Sequence, residues 1–403
     1  MEFTLEDFYD SPFEPGKPVS PFKFKGRIKD CKKIIRNIPK VIHTGVPQHF
    51  FITGKRGMGK TSFAKYVSRV AEYNFNMIPV HLNNGGGTTV DELIQKLLEA
   101  LFDEFDKNYL GKNLVNLFVD NISEVKFAGT GFSLKNEKKL IENVKNNFAN
   151  FLIKTCENLP EGYGIFILID DINGLSDNIE FTNWYKGFFE TIDFNEEYVP
   201  AVFTLISYPK EFDNLCDINE SFSRMFQLIE IDNLEDDEIE EFFKDTFNEF
   251  NMEFCNDEAL SSLVYYSWGM PLIMQQIGDS VFWNAQDHFK ISEKIAINGI
   301  INAAEEIGKK QIRSKLNKIR SEHYEDIFIK LGKNRLMTFQ KSEAKKLLSP
   351  DEVRVFDRFL LRAKELNILK SIGRENSGEY AFVNRLYFTY FMIMSIREEY
   401  VKS

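Results

Sequence analysis

Residues 54–61 have the residue types and the spacing of a phosphate-binding loop. They read Gly-Lys-Arg-Gly-Met-Gly-Lys-Thr and satisfy the pattern G-x-x-x-x-G-K-[ST]. Glycines at these places let the backbone curl around a phosphate, so that successive N–H groups can donate hydrogen bonds to it. The side chain of Lys60 can reach the outer phosphates of a nucleotide, and the hydroxyl of Thr61 can ligate Mg²⁺. The predicted nucleotide-binding residues of this loop are Gly54, Gly57, Met58, Gly59, Lys60, Thr61 and Ser62.

A pair of carboxylates follows a second apolar run. Residues 164–169 read Gly-Ile-Phe-Ile-Leu-Ile, and Asp170 and Asp171 come directly after them. Asp170 is placed to hold Mg²⁺ through water, and Asp171 can orient or deprotonate an attacking water. An acidic pair after a strand is also common in turns and at helix starts. Its position downstream of a phosphate-binding loop favours the chemical role.

Hydrophobic patterning predicts the elements that position these groups. A short apolar strand, His49–Thr53, precedes the loop, and a helix, Thr61–Ala71, follows it, which is the context that the motif requires. Four further strands are predicted at Met77–Leu82, Gly164–Ile169, Ala201–Ile206 and Phe226–Ile231. Short continuous apolar strands separated by helices predict an α/β fold with a doubly wound parallel sheet.

The rest of the chain departs from this rhythm in two places. Ile122–Lys135 alternates apolar and polar residues around a Gly-Thr-Gly turn, which predicts an inserted β-hairpin. After residue 232 strands give way to helices, predicted at Glu235–Phe250, Asp257–Trp268 and Pro271–Ala285. We therefore expect a core with an extended N-terminal arm and the hairpin at 1–232, a helical lid at 233–308, and a basic linker helix with a C-terminal domain at 309–403.

The C-terminal part has the pattern of a winged helix. Helices are predicted at Glu322–Lys333, Gln340–Leu348 and Asp351–Leu366, and strands at Ile368–Ile372 and Tyr380–Val383. The third helix and the turn between the strands carry arginines that can grip duplex DNA, namely Arg354, Arg358, Arg362 and Arg374. Alternatively the domain contacts a protein, and Asp351, Asp357 and Glu365 neutralise the stripe. The pattern leaves both interpretations open.

Charge and composition limit the classes of protein that remain. The 403 residues have a formal net charge of −11, but residues 309–403 hold 21 Lys+Arg against 12 Asp+Glu. The basic residues concentrated between Lys309 and Arg320 suit an anionic partner or a solvated linker helix. The sequence has no secretory pattern, no apolar run long enough for a membrane span, and no C-x-x-C pair among its four cysteines. We expect a soluble, cytoplasmic protein with no membrane partner.

Together these motifs resemble P-loop ATPases of the STAND and AAA+ types, and archaeal origin-recognition-like ATPases most closely in pattern. The resemblance covers most of the chain. Residues 24–27, Phe-Lys-Gly-Arg, look like the family's segment near the nucleotide base, which implies that Gly26 and Arg27 bind nucleotide. Ser207 stands where the family has its polar sensor-1 residue. Gly269-Met270-Pro271 resembles the G-x-P motif of STAND lids, whose proline approaches the nucleotide, although a proline also simply begins helices.

The resemblance also assigns Arg224 and shows two departures. Arg224 lies in a segment that carries an arginine in related ATPases, which implies contact with the γ-phosphate of a neighbouring copy in an oligomer; a structural ion pair is the alternative. The lid has no arginine in a second sensor position, a feature closer to STAND proteins. Asp171 stands in place of the usual glutamate, which puts the rate of hydrolysis in doubt.

The sequence therefore predicts an ATPase that uses ATP and Mg²⁺, hydrolyses slowly and acts as a conformational switch. No N-K-x-D motif for a guanine base follows the strands, which favours ATP over GTP. One hypothesis is a DNA-associated ATPase whose winged helix binds duplex. A second is a signalling or antiviral-defence switch whose C-terminal module binds a protein partner. A third, weaker hypothesis is a scaffold that has lost catalysis.

Overall fold

The computed structural model divides the chain into two compact units. It describes residues 10–107, 127–128, 131–132, 137–194, 196–286, 289–319, 322–373, 378–383 and 385–402. The first unit is Pro18–Asp232, and the second combines the residues before Pro18 with Asn233–Ser403. The predicted turn of the hairpin, Gly129-Thr130, and the predicted DNA contact Arg374 lie outside the described residues.

A five-stranded parallel sheet forms the centre of the first unit. The strands of this unit are β1 Gln48–Thr53, β2 Met77–Asn83, β3 Phe127–Ala128, β4 Gly131–Phe132, β5 Gly164–Asp170, β6 Ala201–Ile206 and β7 Gln227–Glu230. The sheet order is β2-β5-β6-β1-β7, and every pairing in it is parallel. Strand β6 thus lies between the strand that leads into the phosphate-binding loop and the strand that ends at Asp170. The carboxyl ends of all three meet at one edge of the sheet.

Helices cover both faces of this sheet, so its three central strands are buried on both sides. The helices of the unit are α1 Ile28–Ile35, α2 Ile38–Thr44, α3 Lys60–Phe75, α4 Val90–Lys107, α5 Glu137–Asn146, α6 Phe148–Glu157, α7 Ile179–Phe194, α8 Pro209–Ile218 and α9 Phe222–Met225. All six residues of β6 and the first six of β5 are buried, as the unbroken apolar runs predict. The doubly wound α/β fold is confirmed.

Two details of the first unit differ from the sequence prediction or refine it. The hairpin strands β3 and β4 pair antiparallel, with Phe127 opposite Phe132, and the rest of the predicted range Ile122–Lys135 lies outside the described residues. The fourfold spacing of Leu140, Val144, Phe148 and Leu152 predicts one amphipathic helix after the hairpin, whereas the structure has two helices, α5 and α6. The break falls at Asn147, whose φ of −124° and ψ of 30° are not helical.

The second unit begins as a helical bundle. Its elements up to residue 316 are α10 Asp236–Asn248, β8 Glu253–Phe254, α11 Asp257–Ser267, α12 Pro271–Ala285, β9 Lys290–Ile291, α13 Glu293–Ile307, a π-helical turn Gly308–Ile312 and α14 Arg313–Leu316. Phe13 packs its ring against Phe242 and Phe247, with centroids 5.9 and 5.1 Å away. A Cβ on Gly278 would lie 2.2 Å from that ring, so only glycine admits it. This packing assigns the described residues before Pro18 to the second unit.

The C-terminal part of the second unit is a winged helix. Its elements are α15 Glu322–Lys333, β10 Thr338–Gln340, α16 Lys341–Lys345, α17 Pro350–Glu365, β11 Leu369–Ile372, β12 Glu379–Phe382 and α18 Arg385–Lys402. The three strands form one sheet in the order β10-β12-β11. The predicted helix Gln340–Leu348 is shorter, because Gln340 ends the added strand β10 and serves as the N-cap of α16. Among the described helices, none combines the length and hydrophobicity that crossing a bilayer needs.

Candidate functional site

The phosphate-binding loop connects β1 to α3 in a conformation that its glycines make possible. Gly54, Gly57 and Gly59 all have positive φ, at 155°, 85° and 77°. A Cβ on Gly54 would lie 2.5 Å from the carbonyl oxygen of Ile231, so the close approach of the chain just after β7 requires glycine there. Gly59 is the N-cap of α3, which puts the helix N-terminus and its unpaired N–H groups beside the loop. The loop therefore has the geometry of an anion site.

The ammonium of Lys60 folds back onto this loop. Its Nζ donates to the carbonyl oxygens of Gly54 at 2.7 Å and Lys55 at 3.2 Å. The same atom lies 4.2 Å from the ring centroid of Tyr208, within cation–π distance. Burial lowers the pKa of Lys60 to about 8, although the negative charges of Asp170, Glu211 and Asp171 act to raise it. A phosphate entering the loop offers this ammonium a charged partner in place of neutral carbonyls.

The two predicted magnesium ligands are in direct contact. The hydroxyl of Thr61, in the first turn of α3, donates to Oδ2 of Asp170 at 2.6 Å. Asp170 ends β5, and its other oxygen, Oδ1, accepts from the backbone N–H of Asp171 at 2.9 Å. A hydroxyl and a carboxylate supply the oxygen ligands that Mg²⁺ prefers, and Mg²⁺ characteristically takes few of them from protein. The residues present therefore fit a magnesium–nucleotide site.

Asp171 occupies a left-handed backbone conformation and belongs to a side-chain network. Its φ is 58° and its ψ 55°, which is uncommon for a residue other than glycine. Its Oδ1 accepts a short hydrogen bond from Nδ2 of Asn173. Oδ1 of Asn173 accepts from the hydroxyl of Ser207 at 2.6 Å. The structure thus brings Asp171 and Ser207 together through a residue that the sequence analysis did not select.

The segment before the loop also reaches it. Arg27 is buried at 6% exposure, and its Nη2 donates to the carbonyl oxygen of Met58 at 2.9 Å. Its neighbour Gly26 has a φ of 77°. The hydroxyl of Ser62, in α3, accepts from the backbone N–H of Val19 at 3.0 Å. Gly26 and Arg27 therefore adjoin the phosphate-binding loop, while their contact with a nucleotide base stays a prediction.

Two residues predicted from the resemblance lie on elements outside this network of side chains. Arg224 lies in the short helix α9 with its side chain exposed. Pro271 is the first residue of α12 in the second unit, where a proline satisfies the helix start. The preceding Gly269 has a φ of 66°, and a Cβ on it would lie 2.3 Å from the carbonyl oxygen of Leu234. Nucleotide contacts of Arg224 and Pro271 stay predictions.

The arginine stripe of the winged helix is partly paired. Arg354 contacts Asp351 at 3.1 Å, and Arg362 contacts Glu365 at 2.8 Å and donates to the carbonyl of Lys318 at 3.0 Å. Arg358 is exposed on the same helix. Asp357, predicted to neutralise the stripe, pairs instead with Lys341 at 2.6 Å. The carboxylates thus engage two of the three described arginines.

Three residues beside the loop were missed because no motif marks them. Asn173 follows Asp171 by two positions, and Tyr208 follows Ser207 directly, so proximity in sequence to predicted site residues was the only available signal. Glu211 lies in the first turn of α8, and its negative charge acts to raise the pKa of Lys60. Its Oε2 is buried with no hydrogen-bond partner among the described residues. The site therefore contains polar side chains that the sequence motifs do not include.

Comparison with known proteins finds similarity to one family model and to several solved structures. Residues 31–208 match the KAP family P-loop domain. Among solved structures, the chain is similar to the Aeropyrum pernix ORC2 protein in ADPNP–ADP complexes, with a TM-score of 0.51 and 9% identity over 97% of this chain and 98% of that one. It also matches Cdc6p of Pyrobaculum aerophilum, with a TM-score of 0.47 and 12% identity over 96% and 98% of the two chains.

A third solved structure and the curated proteins complete the comparison. A mutant of RuvB from Thermotoga maritima matches with a TM-score of 0.43 and 14% identity, over 92% of this chain and 97% of that one. No curated protein matches the sequence. Residues 31–208 are thus similar to the KAP family P-loop domain, and the chain is similar in fold to the ORC2 protein. A P-loop NTPase domain implies nucleotide binding.

Proposed function

We propose that residues 31–208 form a P-loop NTPase domain of the KAP family. In this proposal the chain binds ATP with Mg²⁺, hydrolyses it slowly and acts as a nucleotide-dependent conformational switch. The observation that carries this proposal is the 2.6 Å contact between Thr61 and Asp170. These side chains come from different elements, which the sheet brings together at its carboxyl edge. Their convergence beside Lys60 supports a site for a magnesium–nucleotide complex.

Binding uses three groups of this chain. The N–H groups of the loop and the N-terminus of α3 receive the phosphates. The ammonium of Lys60 leaves the carbonyls of Gly54 and Lys55 for the outer phosphates, a stronger, charge-assisted contact. Thr61 and Asp170 would hold Mg²⁺, which neutralises phosphate charge when bound. Because Mg²⁺ also uses phosphate oxygens, two protein ligands are enough.

Hydrolysis in this proposal depends on Asp171. Its carboxylate lies one residue beyond the predicted magnesium ligand, where it can orient a water or accept a proton from it. An aspartate is one methylene shorter than a glutamate, and its Oδ1 is already engaged by Asn173. Both features support slow turnover, which suits a switch better than a motor.

Assembly and partner binding extend the proposal. Arg224 is exposed, as an arginine supplied to a neighbouring copy must be, which supports a homo-oligomer that completes its active sites in trans. The winged helix presents Arg358 to solvent and is proposed to bind duplex DNA. The ion pairs of Arg354 and Arg362 favour the alternative, a signalling or defence switch of the STAND type whose winged helix contacts a protein.

Calorimetric titration of the purified chain with the magnesium complexes of ATP, ADP and GTP tests the core of the proposal. We expect the wild type to bind the adenine nucleotides and to release phosphate slowly from ATP. Lys60→Ala should abolish binding of magnesium–ATP. Lys55→Ala is the matched control, because it removes an exposed lysine from the same loop. Failure of the wild type to bind any of the three nucleotides would overturn the proposal.

A further inference from the structure

Asn173 connects the residue at the end of β6 to the second carboxylate after β5. Its Oδ1 lies 2.6 Å from the hydroxyl oxygen of Ser207, and its Nδ2 contacts Oδ1 of Asp171. Ser207 is 2% exposed, and its backbone N–H donates to the carbonyl of Ile52, which fixes it beside β1. The next residue, Tyr208, contacts the ammonium of Lys60. The side chains of Asp171, Asn173 and Ser207 therefore form a bridge within the phosphate site.

The chemistry of the three groups fixes the direction of each hydrogen bond. An ionised carboxylate can only accept, so the amide of Asn173 must turn its Nδ2 toward Asp171. This orientation leaves Oδ1, an acceptor, facing Ser207, and Ser207 must then donate. A serine hydroxyl has one proton and can donate to one strong acceptor at a time. In this structure the Ser207 hydroxyl donates its hydrogen bond to Oδ1 of Asn173.

We propose that Asn173 is a positioning residue that competes with the γ-phosphate of ATP for the single proton of Ser207. The proposal rests on the proposed ATPase function, and it takes Ser207, which stands at the sensor-1 position, as the residue that senses that phosphate. Without a triphosphate, Ser207 anchors Asn173, and Asn173 holds Asp171. A γ-phosphate oxygen is a charged acceptor, so the Ser207 hydroxyl donates to it in preference to the neutral amide oxygen of Asn173.

Two consequences follow for nucleotide recognition. ATP must break the hydrogen bond between Ser207 and Asn173, whereas ADP, which has no γ-phosphate, leaves it in place. The bridge therefore lowers the affinity for ATP and not that for ADP. Once Ser207 has turned away, the amide of Asn173 has lost its anchor and can release Asp171 toward the water. The change of hydrogen-bond partner at Ser207 thus makes the position of Asp171, the residue proposed to activate that water, depend on whether a triphosphate is bound.

A double-mutant cycle on the full chain tests this competition. Binding of magnesium–ADPNP and of magnesium–ADP is measured by calorimetry for the wild type, Asn173→Ala, Ser207→Ala and the double variant. Asn173→Ala should tighten ADPNP binding by about 2- to 10-fold, the worth of one hydrogen bond, and leave ADP binding unchanged. Ser207→Ala should weaken ADPNP binding by about tenfold and leave ADP binding unchanged. The double variant should match Ser207→Ala, because Asn173 has no proton left to compete for.

The controls separate this proposal from a structural role. Asn214 donates to Asp177 at 2.9 Å, a pair of the same chemistry in which neither residue touches Lys60, Thr61 or Asp170. Asn214→Ala should change neither affinity. Asn173→Ser, whose side chain is too short to span both partners, should reproduce Asn173→Ala if that variant does not fold.

Three results would contradict the competition. The first is an Asn173 variant that changes the affinities for ADPNP and ADP alike, and the second is one that leaves ADPNP binding unchanged or weakens it. The third is an effect of the Asn173 variant on ADPNP affinity that persists in the Ser207→Ala background. Each would show that Asn173 does not compete with the γ-phosphate. A wild type that binds neither nucleotide would instead overturn the ATPase proposal and, with it, the competition that depends on it. The two failures therefore give different results.

Discussion

Thr61 donates a 2.6 Å hydrogen bond to Oδ2 of Asp170, although the two residues are 109 positions apart in the sequence. In the sheet, β6 lies between β5, which ends at Asp170, and β1, which precedes the loop before Thr61. The contact is possible because α3 starts where β1 ends, at the same edge of the sheet where β5 ends. In the proposed ATPase these two side chains would hold Mg²⁺. The fold itself therefore brings the two groups together.

The first prediction concerns the hydroxyl of Thr61. Thr61→Ala should remove a magnesium ligand, so that adding Mg²⁺ raises ATP affinity about tenfold less than in the wild type. Thr61→Ser keeps the hydroxyl and should keep the magnesium effect. Titrations of ATP with Mg²⁺ and with a chelator measure the difference. Equal magnesium effects in all three proteins would remove Thr61 from the metal site.

The second prediction separates binding from hydrolysis at Asp171. Asp171→Asn should preserve affinity for magnesium–ATP, because Lys60, Thr61 and Asp170 are untouched. Phosphate release should fall by about 100-fold or more, since the amide cannot act as a base. Asp177→Asn, an exposed aspartate in the following turn, is the control and should retain turnover. A wild-type rate in Asp171→Asn would assign the chemistry to another carboxylate, with Glu211, whose charge acts on Lys60, a candidate.

The third prediction concerns assembly through Arg224. If this arginine acts on a neighbour's nucleotide, the specific ATPase activity of the wild type should rise with protein concentration. In Arg224→Ala it should stay low and flat, whereas Lys210→Ala, which removes an exposed cation from α8, should behave like the wild type. Phosphate release measured over a dilution series checks this. Activity that is independent of concentration in every protein would leave Arg224 with a structural role.

The fourth prediction is a pH dependence of stability that comes from His49. Its ring is buried at 3% exposure, stacks on Phe203 with a centroid distance of 4.8 Å, and pairs through Nδ1 with the hydroxyl of Tyr185. Burial lowers the pKa of His49 from 6.5 to about 3. Between these values the unfolded chain binds a proton that the folded chain does not bind. The free energy of unfolding should therefore fall as the pH drops below 6.5.

A comparison of slopes measures this effect. The His49 contribution is at most about 1.4 kcal/mol per pH unit. Denaturant unfolding between pH 7 and pH 5 should show a steeper loss of stability in the wild type than in His49→Phe, which cannot titrate. His43→Gln, a change at an exposed histidine, should keep the wild-type slope. Parallel slopes in all three proteins would contradict the prediction.

The sequence predicts the nucleotide core well because the core depends on local signals. Continuous apolar runs specify buried parallel strands, and the glycine and lysine spacing specifies the loop between β1 and α3. Strand β10 is not predicted, because its three residues are too few to show an alternating pattern, and Gln340 is predicted as part of a helix. The break at Asn147 escapes because the apolar spacing continues on both sides of it.

The rest of the site depends on contacts that no local pattern encodes. Asn173 matters because its amide spans Asp171 and Ser207, and Ser207 comes from a different strand. Phe13 sits in a proline-rich arm that predicts only extended backbone, yet it packs among the phenylalanines of α10. Long-range hydrogen bonds and aromatic packing decide both cases. A sequence without its tertiary structure cannot supply either.

The fifth prediction tests the winged helix. If Arg354, Arg358 and Arg362 lie along duplex DNA, each contact displaces condensed counterions, and affinity should fall steeply as salt rises. The triple alanine variant should reduce the slope of log K against log salt by about 2 to 3 in magnitude. Arg358→Ala alone should reduce it by about 1, because this exposed arginine would supply one phosphate contact.

Two controls make the result specific to charge on this helix. The triple lysine variant keeps the charges and should keep most of the slope. The triple alanine variant should remain folded, because Phe356, Phe359 and Leu360 hold the buried face of α17, and the changes at the exposed Arg354 and Arg358 cost about 0.5 kcal/mol or less each. Binding that is absent in the wild type at about 50 mM salt, where electrostatic contacts are strongest, would reject the DNA proposal. The protein-binding switch would then be the function to pursue.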